Sequence, residues 1–283
     1  MHFLPVQGDL ADRTAHVCGK IILSGEYAVL FGYTGIAIPS SQELIARFTE
    51  NTSTDEITLE WDAHPLWITY AQKIIKHCRE ARSVAGGTLA IENHLPLGKG
   101  MGSSTALNIA ITGVLLDHHY KEPALHIEDR LNPGHSGLDF AVIWNKQPMK
   151  FTKGSEPEPI HLPENLLKDA CLIDTGTPHE QTPELIAWIT ERKEELQDAL
   201  KTIGSCADRL LSGEDLATVI RDHHQAQCSL GIVTEEAKEL IKKIEQEGGA
   251  AKVIGAGART GGCGMILSTL TPQNSNTLTL SIS

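Results

Sequence analysis

The sequence has no CxxC pair, no HExxH and no cluster of cysteines and histidines. Without those spacings there is no zinc motif to argue from. The six cysteines, Cys18, Cys78, Cys171, Cys206, Cys228 and Cys263, are scattered and suggest no disulfide framework, so free thiols in a reducing compartment are expected. The thirteen histidines, with His118-His119 and His223-His224 among them, are expected at surface and structural positions. No apolar run is long enough to cross a bilayer: the most apolar helical stretch, Leu107 to Leu116, is too short. The opening MHFLPVQGDLADRT lacks the apolar core of a signal peptide, and cytoplasm is the expected compartment. Positive charge is also scarce. With 24 Lys+Arg against 36 Asp+Glu, the net charge is −12, so neither nucleic acid nor an anionic membrane is an expected partner. An anionic substrate would have to be attracted by local groups. Internal repeats and low-complexity tracts are absent.

What is present is an ordinary globular composition, 41% hydrophobic and 21% charged over 283 residues, enough for one large domain or two modest ones. Strand-like runs cover His16–Leu23, Glu43–Phe48, Glu56–Trp61 and Thr88–Glu92, with short ones within Tyr27–Ile38 broken by Gly32 and Gly35. Helical patterns cover Pro65–Ala81 and about Ser103–His119. Strands are predicted again at Phe140–Asn145, Lys150–Phe151 and Cys171–Asp174. Helices are predicted over Pro183–Thr202, Glu214–Leu230 and Thr234–Gln246, then strands at Lys252–Ile254 and Gly264–Leu267. The tail from about Asn276 is expected to fray. The polar, proline-rich Lys153–Pro159 is the candidate connection between two halves, 1–155 and 156–283. Strands and helices interleave without regular alternation, which argues for an α+β fold with a helix-rich second half.

The segment Pro96-Leu97-Gly98-Lys99-Gly100-Met101-Gly102-Ser103-Ser104 lies between a predicted strand and a predicted helix. Alternate glycines let backbone N–H groups approach a ligand, and a helix N-terminus adds unsatisfied donors, so the loop suits a di- or triphosphate. Ser103 or Ser104 could cap the helix, and a serine hydroxyl could reach a metal ion on the phosphates. A plain glycine turn with a serine cap carries about equal weight, because the loop fits neither the Walker pattern nor the dinucleotide GxGxxG. A second cluster, Gly255 to Gly264, has five glycines in ten residues between apolar strands, which suggests a ligand held between two loops. Arg259 within it could neutralise phosphate or be a solvated surface arginine.

Four ordered segments carry a resemblance. Cys18-Gly19-Lys20-Ile21-Ile22-Leu23-Ser24-Gly25-Glu26-Tyr27-Ala28-Val29 resembles PGKxxLxGEHAV. The loop Gly98–Ser104 is similar to PxGxGLGSSAA. Glu128 to Asp139, with its two acids eleven positions apart, resembles ExxxHGxPSGxD. Lys252-Val253-Ile254 and the second glycine cluster are similar to KLTGAGGGGCG. Asp174-Thr175-Gly176 with Thr182, and His224-Gln225 with Leu230-Gly231-Ile232, add weaker matches. The chain thus resembles the GHMP-type kinases from about residue 15 to 268, and within them most of all the mevalonate kinases.

The resemblance implies a two-domain α+β fold, with an N-terminal ribosomal-protein-S5-like domain and a C-terminal ferredoxin-like domain. It implies ATP-dependent phosphorylation of a small-molecule alcohol, mevalonate to 5-phosphomevalonate in isoprenoid biosynthesis, and a homodimer. By it, Gly98, Lys99, Gly100, Met101, Gly102, Ser103 and Ser104 clamp the ATP phosphates, and Ser104 and Glu128 hold Mg²⁺. Asp139 accepts the hydroxyl proton, Lys20 stabilises transition-state charge, and Glu26, Tyr27 and Thr182 face the acceptor. Taken singly, Lys20, Glu128 and Asp139 read as surface or capping residues; the ordered set favours the functional roles. The chain departs from the pattern at Cys18 for proline, at Tyr27 for histidine, at Asn132-Pro133-Gly134-His135, and in a second glycine cluster two residues longer. Tyr27 is more like phosphomevalonate kinases, which are the alternative. A catalytically inactive homologue and a serine hydrolase built on Gly134-His135-Ser136-Gly137 rank lower, the second because GxSxG fails at Leu138.

Overall fold

A computed structural model describes residues 6–7, 12–117, 120–163 and 165–271. The tail from Asn276 and the pair His118-His119 lie outside them. The first half begins with strands β1 (Val6–Gln7) and β2 (Asp12–Ser24), a 3-10 turn at Ala28–Phe31, and the long strand β3 (Gly35–Glu50). Strand β4 (Ile57–Glu60), helix α1 (Pro65–Ala81) and strand β5 (Gly87–Asn93) follow. Then come helices α2 (Ser103–Leu116), α3 (Lys121–Leu131) and α4 (Leu138–Asn145), and strands β6 (Met149–Phe151) and β7 (Glu158–Pro159). The second half holds β8 (Cys171–Asp174), α5 (Thr182–Glu191), α6 (Gln197–Leu211), α7 (Leu216–Leu230), α8 (Glu235–Gln246), β9 (Ala251–Val253) and β10 (Met265–Ser268).

The first sheet runs β1-β2-β3-β5-β4, with β6 on β3 and β7 on β6, and is antiparallel except at β4–β5. The second is the antiparallel order β8-β10-β9. Helix α1 forms where periodicity predicts it, with Pro65 in its first turn, the His64 ring accepting the Leu66 N–H, and Ala71, Ile74, Ile75 and Cys78 buried on one face. Helix α2 is buried nearly all round and packs between α1, α3, α4 and the sheet. Its Gly113 leaves room for the Tyr120 ring.

The other face of β2 and β3, through Ile21, Leu23, Ile36 and Ile38, shares one core with Leu172, Leu210, Ile220, Met265 and Leu267 of the second half. Strand β7 extends the first sheet past residue 155. Among the described residues no helix is long and apolar enough to cross a membrane.

Four elements differ from expectation. Phe140–Asn145 is helix, not strand: Leu138, Phe140, Ala141, Val142, Ile143 and Trp144 are all buried, and a short run that is apolar on every side carries no period. Tyr27–Ile38 holds a 3-10 turn ended by the left-handed Gly32, and only from Gly35 a strand. The helix expected over Pro183–Thr202 is two, α5 and α6. They part in a run of good helix formers, so tertiary packing decides: Leu185, Ile189, Leu200 and Ile203 all enter one cluster from two directions. Helix α3, which carries Glu128, had no sequence signal of its own strong enough to be read.

Candidate active site

Lys20 owes its position to an irregularity in β2. The β2–β3 register shifts between Cys18 and Lys20, and the Lys20 N–H donates instead to Met101 O of the glycine loop at 3.0 Å. A bulge re-aims the side chain that follows it. The Lys20 side chain is 2% exposed; Nζ donates to Gly100 O at 2.8 Å and lies 3.3 Å from Asp139 Oδ1. Asp139 is in the first turn of α4, whose start is set by the left-handed Gly137, and the partial positive charge there favours a carboxylate. Cation and acid, 119 positions apart in sequence, therefore meet beside the loop.

Loop Gly98–Ser104 is held from several sides. The Gly98 N–H donates to Ser103 Oγ at 3.0 Å, and Met265 N–H donates to Lys99 O at 3.1 Å. Lys99 Nζ pairs with Asp174 at the end of β8, and Asp174 Oδ1 accepts the Gly176 N–H at 2.8 Å. The helix cap is Gly102, not Ser103 or Ser104. The two glycine-rich loops touch backbone to backbone. A Cβ on Gly100, at φ +84°, would lie 2.5 Å from Ile254 O, and one on Gly255, at φ +74°, would lie 2.6 Å from Gly100 Cα. Both positions need glycine for room and for handedness.

Glu128 is buried on the α3 face that packs on α2. Its Oε1 accepts from Thr105 (2.7 Å) and Asn132 (2.9 Å), and Oε2 accepts from Asn108 (3.0 Å). Asn132 also donates to the Tyr70 hydroxyl at 2.9 Å, which is hydrogen-bonded to Ser104. Burial, with the Glu128 charge, raises the Tyr70 pKa, so its phenol stays neutral. Ser104 and Glu128 thus belong to one network. The sequence reading missed Tyr70, Thr105, Asn108 and Asn132. The signal for two of them was a polar stripe, Thr105-Asn108-Thr112, in a helix otherwise apolar all round.

Glu26, Tyr27 and Thr182 do not join this group. Glu26 is buried against Lys252 and His223. Tyr27 packs in the core lined by Leu185, Ile189 and Leu230, and its hydroxyl donates to Ala256 O at 2.6 Å. Thr182 is exposed at the start of α5. Arg259 is exposed and stacks on Trp188, its guanidinium 3.6 Å from the ring centre, while Arg192 covers the other face at 3.4 Å. Ser136 Oγ accepts the Leu138 N–H, and His135 pairs with Asp129 at 2.8 Å, so neither is arranged as a nucleophile and base.

Residues 69–137 match the family model for the GHMP kinases N terminal domain. The mevalonate kinase of Archaeoglobus fulgidus is 27% identical over 266 residues, covering 87% of this chain and 88% of the relative. The Methanococcus jannaschii mevalonate kinase has the same fold, with a TM-score of 0.72 at 22% identity over 90% of this chain and 89% of that one. So has the Streptococcus pneumoniae phosphomevalonate kinase solved with phosphomevalonate and AMPPNP, with a TM-score of 0.67 at 14% identity over 92% and 93%. Residues 69–137 are thus similar to the GHMP kinase N-terminal domain, and the chain is similar over most of its length to mevalonate kinases.

Proposed function

We propose that this chain is an ATP-dependent small-molecule kinase that phosphorylates mevalonate. The observation that carries the reading is the Lys20–Asp139 pair at 3.3 Å, beside a glycine loop whose Gly100 carbonyl holds the same ammonium. Phosphoryl transfer to an alcohol needs a proton acceptor next to a cation at the phosphate loop. In the step, the acceptor hydroxyl gives its proton to an Asp139 carboxylate oxygen as its oxygen bonds to the γ-phosphorus, and the bond from phosphorus to the ADP oxygen breaks. Lys20 offsets the charge gathering on the transferring group. The main-chain N–H groups of Gly98–Ser104 and the start of α2 bind the phosphates.

The oxygen donors fit a magnesium ion. Ser104 offers a hydroxyl and Glu128 a carboxylate whose Oε2 accepts only one of the hydrogen bonds above, leaving lone pairs. Among the described residues no three His, Cys, Asp or Glu side chains gather as a metal cage. Such an ion would neutralise phosphate charge.

Phosphomevalonate is the second acceptor to test, since Tyr27 stands where mevalonate kinases carry histidine. The test is ADP release in a coupled assay with each alcohol in turn. Release with mevalonate supports the proposal. Release only with 5-phosphomevalonate moves the assignment to phosphomevalonate phosphorylation, and release with neither refutes both.

A further inference from the structure

The resemblance has Glu26 facing the acceptor, yet its side chain is 1% exposed and turned towards Lys252 and His223. Oε1 pairs with Lys252, itself 0% exposed, and Oε2 lies 2.9 Å from Nε2 of His223, 1% exposed. Burial alone would raise the Glu26 pKa, but Lys252 and His223 more than offset it and hold it at about 2. Burial, with the charge of Lys252, pulls the His223 pKa below the usual imidazole value. A buried acid and a buried base therefore face each other in the interior with an imidazole ring beside them.

Such a pair is an expensive way to gain stability, because removing both charges from water costs as much as their attraction returns. What it supplies is direction. Glu26 lies two residues past β2, the strand that carries Lys20. Lys252 is the middle residue of β9, and its Nζ also donates to Val253 O at 3.1 Å. Gln227 donates to the same carbonyl at 2.8 Å. The next residues, Ile254 and Gly255, are the ones that abut Gly100. Tyr27 adds a second tie to the same loop through Ala256 O.

We infer that Glu26 and Lys252 are positioning residues: their ion pair fixes the second glycine loop against the phosphate loop and Lys20, and so governs nucleotide binding and turnover without touching the acceptor. The inference rests on the kinase reading above, but its test does not depend on turnover alone. Wild type, Glu26→Gln, Lys252→Met and the double variant are compared by calorimetric ADP binding, thermal midpoint, and KM for ATP and for mevalonate. Glu26→Gln should weaken ADP binding and raise KM for ATP about tenfold or more, and lower kcat, with KM for mevalonate changed less than about twofold. The double variant leaves no unpaired ion, so it should melt within a few degrees of wild type while ADP binding stays weakened. A Glu26→Gln protein with higher KM for mevalonate and normal ADP binding would make Glu26 an acceptor contact and overturn the inference. So would a double variant with wild-type ADP affinity, or one that no longer folds, since the pair would then be dispensable or merely structural. If the wild type phosphorylates neither alcohol, the functional reading falls while ADP binding still decides this one.

Discussion

Asp139 is 36% exposed on its side chain, and Lys20 holds it from the buried side. Its carboxylate can be changed without opening the core. Asp139→Ala should lower kcat by about 10²–10⁴-fold, the usual size of a general-base effect, while calorimetric ADP affinity stays within a few-fold. Equal turnover would remove Asp139 from the mechanism. Glu128 makes a contrasting case. Glu128→Ala strands the Thr105, Asn108 and Asn132 donors and should cost about 3 kcal/mol in urea unfolding. Glu128→Gln preserves the shape and should raise the Mg²⁺ needed for half-maximal activity about tenfold; an unchanged requirement would place the ion elsewhere. His224 links residue chemistry to stability. Burial, with His223 and Lys238, lowers its pKa to about 4, whereas the unfolded chain titrates near 6.5. Between those values the unfolded state binds more protons, so stability falls as pH drops from 6.5 towards 4, by up to about 3 kcal/mol from this group. His224→Asn should flatten that part of the urea-unfolding profile.

At the scale of elements, the contact between the two glycine loops is the most restrictive. Gly255→Ala places a methyl group 2.6 Å from Gly100 Cα in a left-handed backbone. It should cost at least about 1–2 kcal/mol and raise KM for ATP more than KM for the acceptor; a normal KM for ATP would show that the loops can separate without consequence. These loops were legible because glycine in dense runs is a strong backbone signal. Helix α1 was legible because its apolar spacing is regular and its start is marked by Pro65. Helix α4 was not, since six apolar residues in eight look alike as buried strand or buried helix. The α5–α6 break was not legible either, because nothing in Arg192–Leu196 opposes helix locally. The ordered motifs singled out Lys20 and Asp139, whose side chains the fold brings within 3.3 Å. They could not say that Glu26 turns inward, because that depends on Lys252 and His223, more than 190 positions away in sequence.

For the whole molecule, two sheets share one core across the face of β2 and β3, and the site forms where the glycine loops of both halves meet. A chain of net charge −12 repels anions at long range, so on the proposed function nucleotide capture would fall to Lys20, the loop N–H groups and the start of α2. KM for ATP should therefore fall modestly as salt rises from low ionic strength, because screening relieves the general repulsion more than it weakens buried contacts. A steep rise in KM would point instead to an exposed cationic patch as the capture surface. The central claim is phosphoryl transfer from ATP at the Lys20–Asp139 pair. Its most direct test is ADP release with mevalonate by wild type and Asp139→Ala side by side. The account predicts mevalonate-dependent release that the variant loses while still binding ADP. Release that persists in the variant, or no release from the wild type, would contradict it.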